Sequence, residues 1–221
     1  SRMVRQGMVD GVLVFDIEWH DERLPEIARL NIPVVLIGTP ENAHGLPCVD
    51  VDYRRAAQLA VNRLAEQGAR RMVLVADWGR SPNRYSFAKL FASESRVVAQ
   101  VLGMNYEMFM PPEQGWRGIW AMGDVLKRIV ACHGGVTVRT PRALDSLLQL
   151  CVEMRIKPGH DFYLVAVYVD GYEEALRVPV DNVDPVPQPI SKAAVDMLFE
   201  QIDGRRISDR LLVPPHITIR S

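Results

Sequence analysis

Residues 48–76 read CVDVDYRRAAQLAVNRLAEQGARRMVLVA, and this stretch decides the class of fold. Its two ends, Cys48–Asp52 and Arg71–Ala76, are short apolar runs rich in valine, which is typical of buried strands. Between them apolar residues recur at helical spacing, and Gly68 follows as a helix stop. The helical apolar positions are Ala56, Ala57, Ala60, Val61 and Leu64. Strand, helix and strand in this order predict a βαβ unit.

The same alternation of apolar runs and helical patterns extends in both directions from this unit. Thr140 followed by Pro141 predicts a helix start, and a single helix is predicted over residues 116–130. The proline-rich residues 179–189 are expected to lack regular structure, and His216–Arg220 is expected to form an edge strand. Further strands are predicted at Val9–Phe15, Pro33–Gly38, Tyr106–Met110, Gly135–Arg139 and Phe162–Tyr168. The pattern as a whole predicts an α/β protein with parallel sheets.

Composition and charge exclude several classes of protein. The chain has 221 residues, with 26 Lys and Arg against 27 Asp and Glu, and a sequence pI near 6.5. A surface that binds duplex DNA usually carries a clear basic excess, so this chain is not expected to read DNA itself. Its three cysteines form no CxxC pair, which favours a reducing compartment, here the cytoplasm. No run of about 20 apolar residues predicts a membrane span, and residues 1–10 lack the apolar centre of a signal peptide.

Signature motifs of common enzymes are absent from the sequence. It contains no GxSxG, GxGxxG, GxxxxGK[ST] or HExxH pattern, which disfavours an enzyme and gives no reason to expect a cofactor. The loop at residues 16–22 carries four acidic residues and His20, so it could hold a divalent metal if the protein were a small α/β enzyme. A solvated loop before a helix is the favoured interpretation, and no metal site is predicted.

Four residues near strand ends are the candidates for ligand binding. Ligands of open α/β sheets bind in the crevice beyond the carboxyl ends of the strands, and Arg139 and Asp170 fall at or just after such ends. Arg84 and Trp116 lie in turns between elements. Arginine can form two parallel hydrogen bonds to a polar ligand, and tryptophan can stack on a sugar or a base. A surface ion pair or a core aromatic is the alternative for each residue.

Several stretches resemble the effector-binding core of the lactose/galactose repressor family. They are VDGVL at residues 9–13, IPVVLI at 32–37, VDVD at 49–52, LAEQGARR at 64–71, PQP at 187–189, IDG at 202–204 and LLVPP at 211–215. The resemblance implies a fold like that of periplasmic sugar-binding proteins, with two Rossmann-like subdomains and a small molecule bound between them. The first subdomain would comprise residues 1–77 and 190–210, and the second residues 78–189 and 211–221.

The resemblance also suggests positions for the binding site. The family's cleft arginine falls on Arg84 and its aromatic pocket residue on Trp116. Two departures affect the pocket, because Arg139-Thr140 replaces the usual Asn-Asp, and the segment that contains Tyr168 and Asp170 replaces Gly-Phe-Asp-Asp. We therefore predict ligand contacts from Tyr168 as well, and an effector that is sugar-like and carries an anionic group, such as a sugar acid or sugar phosphate.

The implied function is the ligand-sensing and dimerisation core of a bacterial transcriptional regulator, such as a repressor. The family normally begins with a further strand, helix and strand and a DNA-binding helix-turn-helix, so we expect this sequence to be a fragment or incomplete. A homodimer would form through helices of the second subdomain, including residues 141–155, and allostery would link the effector to operator DNA. The alternative is a periplasmic sugar-binding protein of a transporter. The effector, the operator, and induction or co-repression stay open.

Overall fold

The computed structural model describes residues 9–76 and 84–220. Its strands are β1 (Val12–Val14), β2 (Val34–Ile37), β3 (Cys48–Val51), β4 (Arg71–Val75), β5 (Asn105–Phe109), β6 (Gly135–Val138), β7 (Tyr163–Val167), β8 (Asp181–Asp184), β9 (Arg210–Val213) and β10 (His216–Thr218). Its helices are α1 (Leu24–Ile27), α2 (Tyr53–Glu66), α3 (Ser86–Val101), α4 (Trp116–Trp120), α5 (Gly123–Ala131), α6 (Pro141–Met154) and α7 (Pro187–Ile202). A short 3-10 helix, Tyr172–Ala175, follows β7. This order of elements confirms the α/β class.

The chain divides into two compact units, each built around one sheet. The first unit comprises residues 9–52, 84–89 and 186–214, and its four strands are all parallel in the order β1-β2-β3-β9. The second unit comprises residues 53–76, 90–185 and 215–220, and its six strands have the order β10-β8-β7-β6-β4-β5. Only β10 is antiparallel in the second sheet, where it pairs with β8. Both sheets are therefore predominantly parallel, as predicted.

The boundary between the units differs from the one that the resemblance suggests. The structure ends the first part of the first unit at Asp52 and not at Asp77, because β4 pairs with β5 and β6 in the second sheet. At the other end of the chain, residues 210–213 form β9 and pair with β3 in the first sheet. Strand pairing thus assigns β4 to the second unit and β9 to the first, and α2 belongs to the second unit because it packs on the same core cluster as β4.

The strands of the second sheet bury side chains on both faces. Along β4, Val73 and Val75 face one core cluster, which includes residues of α5 and α6, whereas Met72 and Leu74 face a second cluster that includes residues of α2 and α3. This alternation explains why the strands are almost continuously apolar in the sequence. The apolar positions predicted for α2 are all buried, and Gly68 has a φ of 106°, a left-handed conformation that suits the residue after a helix.

The proline-rich segment is not irregular, which corrects the expectation for residues 179–189. Its residues 181–184 form β8, which is buried between β7 and β10, and α7 begins at Pro187. The prolines flank the strand or occupy the first helical turn, where no backbone N–H is needed for a hydrogen bond. The single helix expected over residues 116–130 is also wrong: it is divided into α4 and α5, and the fully buried Met122 lies between them.

The predicted start of the helix after Thr140 is confirmed. Thr140 begins α6 as expected, since its hydroxyl accepts a hydrogen bond from the backbone N–H of Ala143 at 3.3 Å. The first unit has an apolar cluster of its own, formed by Ile17, Leu24, Val34, Leu36 and Cys48. All three cysteines are free thiols. Within residues 9–76 and 84–220, no helix combines the length and apolarity that crossing a membrane requires.

Candidate functional site

The carboxyl edge of the second sheet holds most of the predicted site residues. Because β6, β7 and β8 run parallel, their carboxyl ends meet at one edge, where open α/β sheets bind ligands. Arg139 directly follows β6, and Tyr168 and Asp170 follow β7. The strand register places Val138 beside Ala166, so Arg139 falls level with Val167, and Tyr168 is the next residue along the chain.

Asp170 is the centre of a hydrogen-bonded cluster at this edge. Its carboxylate accepts hydrogen bonds from Asn182 Nδ2 and Arg220 Nη2, both at 3.1 Å, and lies 2.9 Å from His216 Nε2. Thr218 Oγ1 lies 3.4 Å from the same carboxylate. Together these contacts, and the hydrogen bond to His216 above all, lower the pKa of Asp170 to about 2 although burial opposes the shift. Asp170 is therefore an anion held in place by the last strand.

Three of the side chains that hold Asp170 come from the end of the chain that contains β10. His216 and Thr218 lie two residues apart on β10 and therefore share one face of it, and Arg220 follows two residues after Thr218. None of the three was predicted as a site residue, although the alternation that predicted an edge strand also predicts a shared face. Arg220 adds an ion pair with Glu173 at 2.9 Å, and it also contacts the amide oxygen of Asn182.

Tyr168 is buried and belongs to the core beneath this cluster. Its side chain is 1% exposed, and its hydroxyl donates a hydrogen bond to the carbonyl oxygen of Val180 at 2.8 Å. Burial raises the pKa of Tyr168 to about 12, so the phenol stays neutral at physiological pH. The Arg220 guanidinium carbon lies 5.9 Å from the ring centroid. In this structure Tyr168 supports the cluster through Arg220.

Trp116 forms an aromatic pair in the same unit. Its ring centroid lies 5.2 Å from that of Trp120 on α4, at an interplanar angle of 56°. Trp116 is half-buried against the core, whereas Trp120 is 52% exposed. Glu113 and Arg117 complete a surface cavity of about 430 Å³ around the pair. Aromatic faces with adjacent charged groups are suited to the apolar face and the hydroxyls of a sugar.

Arg84 lies in the first unit, in an ion pair with Glu18. Its Nε and Nη2 donate hydrogen bonds to Glu18 Oε1 at 3.0 and 2.9 Å, and Glu18 raises the pKa of Arg84. The nearby loop is organised in a similar way, with Asp21 paired to Arg23 at 2.6 Å and His20 Nδ1 lying 3.0 Å from Glu41. These pairs give Glu18, His20 and Asp21 protein partners, as in a solvated loop.

One set of carboxylates and histidine in the second unit has the spacing of a metal site. Asp170, Asp184 and His216 each place one potential ligand atom within 4.8 Å of the others. Asp184 Oδ2 accepts a hydrogen bond from the backbone N–H of Asp170, and the Arg220 guanidinium contacts Asp170 directly. A bound cation would compete with that guanidinium, so the geometry is that of an ion-paired cluster.

The first sheet has a polar pair of its own at its carboxyl edge. Asp50 lies in β3, and Thr39 follows β2 by two residues. Asp50 Oδ2 accepts a hydrogen bond from the backbone N–H of Thr39 at 2.9 Å, and Oδ1 accepts one from Val51 at 2.8 Å. Neither residue was predicted as a site residue, because a single aspartate in an apolar strand has no recognisable motif.

The sequence profile of the periplasmic binding protein-like domain family matches residues 61–221. This chain belongs to that family. A relative, the HTH-type transcriptional regulator pepR1 of Lactobacillus delbrueckii subsp. lactis, is 22% identical over 223 residues, which cover 96% of this chain and 62% of the relative. The chain therefore spans less than two thirds of that protein's length.

Solved structures share the fold of this family member. A regulatory protein of the LacI family from Chloroflexus aggregans superimposes with a TM-score of 0.86 at 18% identity, and the alignment covers 100% of this chain and 79% of that protein's chain. The complex of the transcriptional regulator CelR with cellobiose has a TM-score of 0.80 at 20% identity, covering 99% and 68%. These matches confirm the fold that the resemblance implies.

Proposed function

We propose that this protein is the ligand-sensing and dimerising core of a bacterial transcriptional regulator. The alignment with an HTH-type regulator over 96% of the chain carries the proposal. It favours a regulator over the alternative, a periplasmic sugar-binding protein of a transporter. A regulator of this kind acts in the cytoplasm without catalysing a reaction. The binding of operator DNA is assigned to a helix-turn-helix segment outside the 221 residues.

The effector is a small sugar-like molecule that binds at the carboxyl edges of the sheets. Arg139, Trp116 and the Asp170 cluster supply charged, aromatic and hydrogen-bonding groups in the second unit, with Tyr168 beneath them, and Arg84 lies in the first unit. A ligand shifts a conformational equilibrium only by its difference in affinity for the two states. Effector contacts that differ between those states transmit the signal to the DNA-binding segment.

A direct test is calorimetric titration of the 221-residue protein with neutral sugars, sugar acids and sugar phosphates. Reversible binding without consumption of the sugar supports a sensor. Tighter binding of an acid or phosphate than of its neutral parent, lost in Arg139→Ala, supports an anionic effector. Turnover of a sugar would contradict the sensor, and equal binding of neutral and anionic forms would contradict the anionic group.

The dimer is assigned to the outer face of α6. A groove of about 860 Å³ lies along the carboxyl-terminal half of this helix, with Leu148, Val152 and Leu176 in its apolar lining. Val152 is 74% exposed and joins Leu148 and Leu176 in one apolar surface, and contiguous exposed apolar surface marks interaction sites. We expect Val152→Asp to shift the protein from dimer to monomer in sedimentation velocity, whereas Glu153→Gln, a change in a neighbouring exposed residue, leaves the dimer intact. A monomeric wild-type protein would refute the assignment.

A further inference from the structure

Asp50 and Thr39 occupy the ligand-facing edge of the first sheet. Since β1, β2, β3 and β9 are all parallel, their carboxyl ends share one edge. Asp50 is the third of the four residues of β3, and Thr39 lies just beyond β2. Both residues therefore lie near the edge at which open α/β sheets bind ligands, and not at the opposite edge.

The two side chains are buried without the partners that burial normally demands. Asp50 is 7% exposed and Thr39 is 6% exposed. Among residues 9–76 and 84–220, no cation pairs with the Asp50 carboxyl; two backbone N–H groups donate to it, and the Thr39 side chain also favours its ionised form. The Thr39 hydroxyl lies beside the carboxyl group, but its geometry satisfies no hydrogen bond within the described chain. A buried hydroxyl without a hydrogen bond and a buried acid without a counterion are both costly.

The surroundings of Asp50 make the carboxyl group a weak acid. Burial raises the pKa of Asp50 to about 6, and its hydrogen bonds oppose this rise only in part. The titratable neighbour on the same strand is Cys48, a thiol whose own pKa is raised by burial. Arg210, which pairs with Cys48 across β3 and β9, interacts with the thiol. The cluster below Asp50 is otherwise apolar.

We propose that Asp50 and Thr39 form a subsite that binds a hydrogen-bond donor of the effector and couples its binding to the release of one proton. This inference rests on the proposed sensing function. The ionised carboxylate accepts the hydrogen bond from the effector, and the Thr39 hydroxyl gains the partner that it lacks. The donor is a sugar hydroxyl or the ammonium group of an amino sugar. This role explains why Asp50, an acid without a counterion, lies near the carboxyl edge of the sheet.

The coupling has a direction that can be measured. When only the ionised form binds, protonated Asp50 must first lose its proton, so acid weakens the affinity. With a carboxyl group that titrates near pH 6, the affinity at pH 5 is about tenfold lower than at pH 7.5. Binding of a pure hydroxyl ligand such as cellobiose and of D-glucosamine would both show this dependence if they use the subsite.

The first experiment needs no knowledge of the effector. The protein is treated at pH 6 with a water-soluble carbodiimide and glycinamide, which couple to carboxyl groups that solutes can reach, and the modified residues are mapped by mass spectrometry. We expect Asp50 to be labelled, exposed Asp196 to serve as the positive control, and fully buried Asp181 to stay unlabelled. Labelling of Asp50 supports an accessible subsite. Protection of Asp50 equal to that of Asp181 overturns the proposal.

The second experiment titrates cellobiose and D-glucosamine by calorimetry at pH 5, 6 and 7.5. We expect at least one to bind about tenfold more tightly at pH 7.5, with this dependence lost in Asp50→Asn and the affinity reduced in Thr39→Val. Asp196→Asn is the matched control and should behave like the wild-type protein. Binding of either sugar that is independent of pH, or unchanged in Asp50→Asn, overturns the subsite. Labelling of Asp50 with neither sugar bound supports the subsite and counts against sugar as the effector of the proposed function.

Discussion

Replacing Asp50 by Asn should remove a pH-dependent loss of stability from this protein. The pKa of Asp50 rises from 3.8 to about 6 on folding, so the folded state keeps its proton over a range where the unfolded chain has lost it. Stability from this group is complete below pH 3.8 and falls as the pH rises through about 6. A difference of this size corresponds to about 3 kcal/mol at high pH, of which about 2 kcal/mol appears between pH 4 and pH 8.

The assay is urea unfolding of the wild-type protein and Asp50→Asn at pH 4, 5, 6, 7 and 8. The amide keeps one acceptor for the two backbone donors, so the variant starts with a constant penalty of about 1 kcal/mol. Apart from this constant penalty, the free energy of unfolding of the variant should rise by about 2 kcal/mol relative to that of the wild type between pH 4 and pH 8. Asp196→Asn should show no such trend. A stability difference that is the same at every pH would refute a weakly acidic Asp50.

Three further predictions follow from buried or capping contacts. Arg63→Ala should lower the free energy of unfolding by about 3 to 5 kcal/mol, because it leaves Asp181 buried without the guanidinium that contacts it at 2.6 Å. Urea unfolding measures this loss, and a loss no larger than that of exposed Arg205→Ala would contradict the prediction. Asp170→Asn should lower the melting temperature at pH 6 but not at pH 2. The lowered pKa of Asp170 stabilises the fold above pH 3.8, and this contribution is lost as the pH falls towards 2. A difference in melting temperature between variant and wild type that is equal at both pH values would exclude the ion-paired cluster. Thr140→Ala should lower the free energy of unfolding by about 1 kcal/mol because it removes the cap of α6, whereas Thr140→Ser keeps the cap. Equal urea unfolding midpoints of the two variants would argue against capping.

The fold could be predicted largely because its signals are local. The stretch from Cys48 to Ala76 shows valine-rich ends, a helical spacing of small apolar residues and a glycine stop, and each feature has the expected structure. The segment at residues 179–189 could not be predicted in this way. Its strand has the sequence DNVD, whose polar residues are buried only because neighbouring strands and α2 supply their partners.

The site was harder to predict because its contacts join residues far apart in the chain. Asp170 was identified from its place after a strand, but His216 and Arg220, which hold it, lie in and just after β10, more than 40 residues further along the chain. Arg84 was expected to contact a ligand, and the structure adds Glu18 as its protein partner. Asp50 carries no sequence signal, since its chemistry results from burial, which depends on tertiary packing.

The residues that follow β10 also determine how a shortened version of this protein has to be designed. The Arg220 guanidinium joins Asp170, Glu173 and Asn182, while its backbone N–H donates to Asp181 at 2.7 Å. A variant cut before Arg220 would therefore lose contacts to four side chains at once. Any truncation made for binding measurements should keep this arginine.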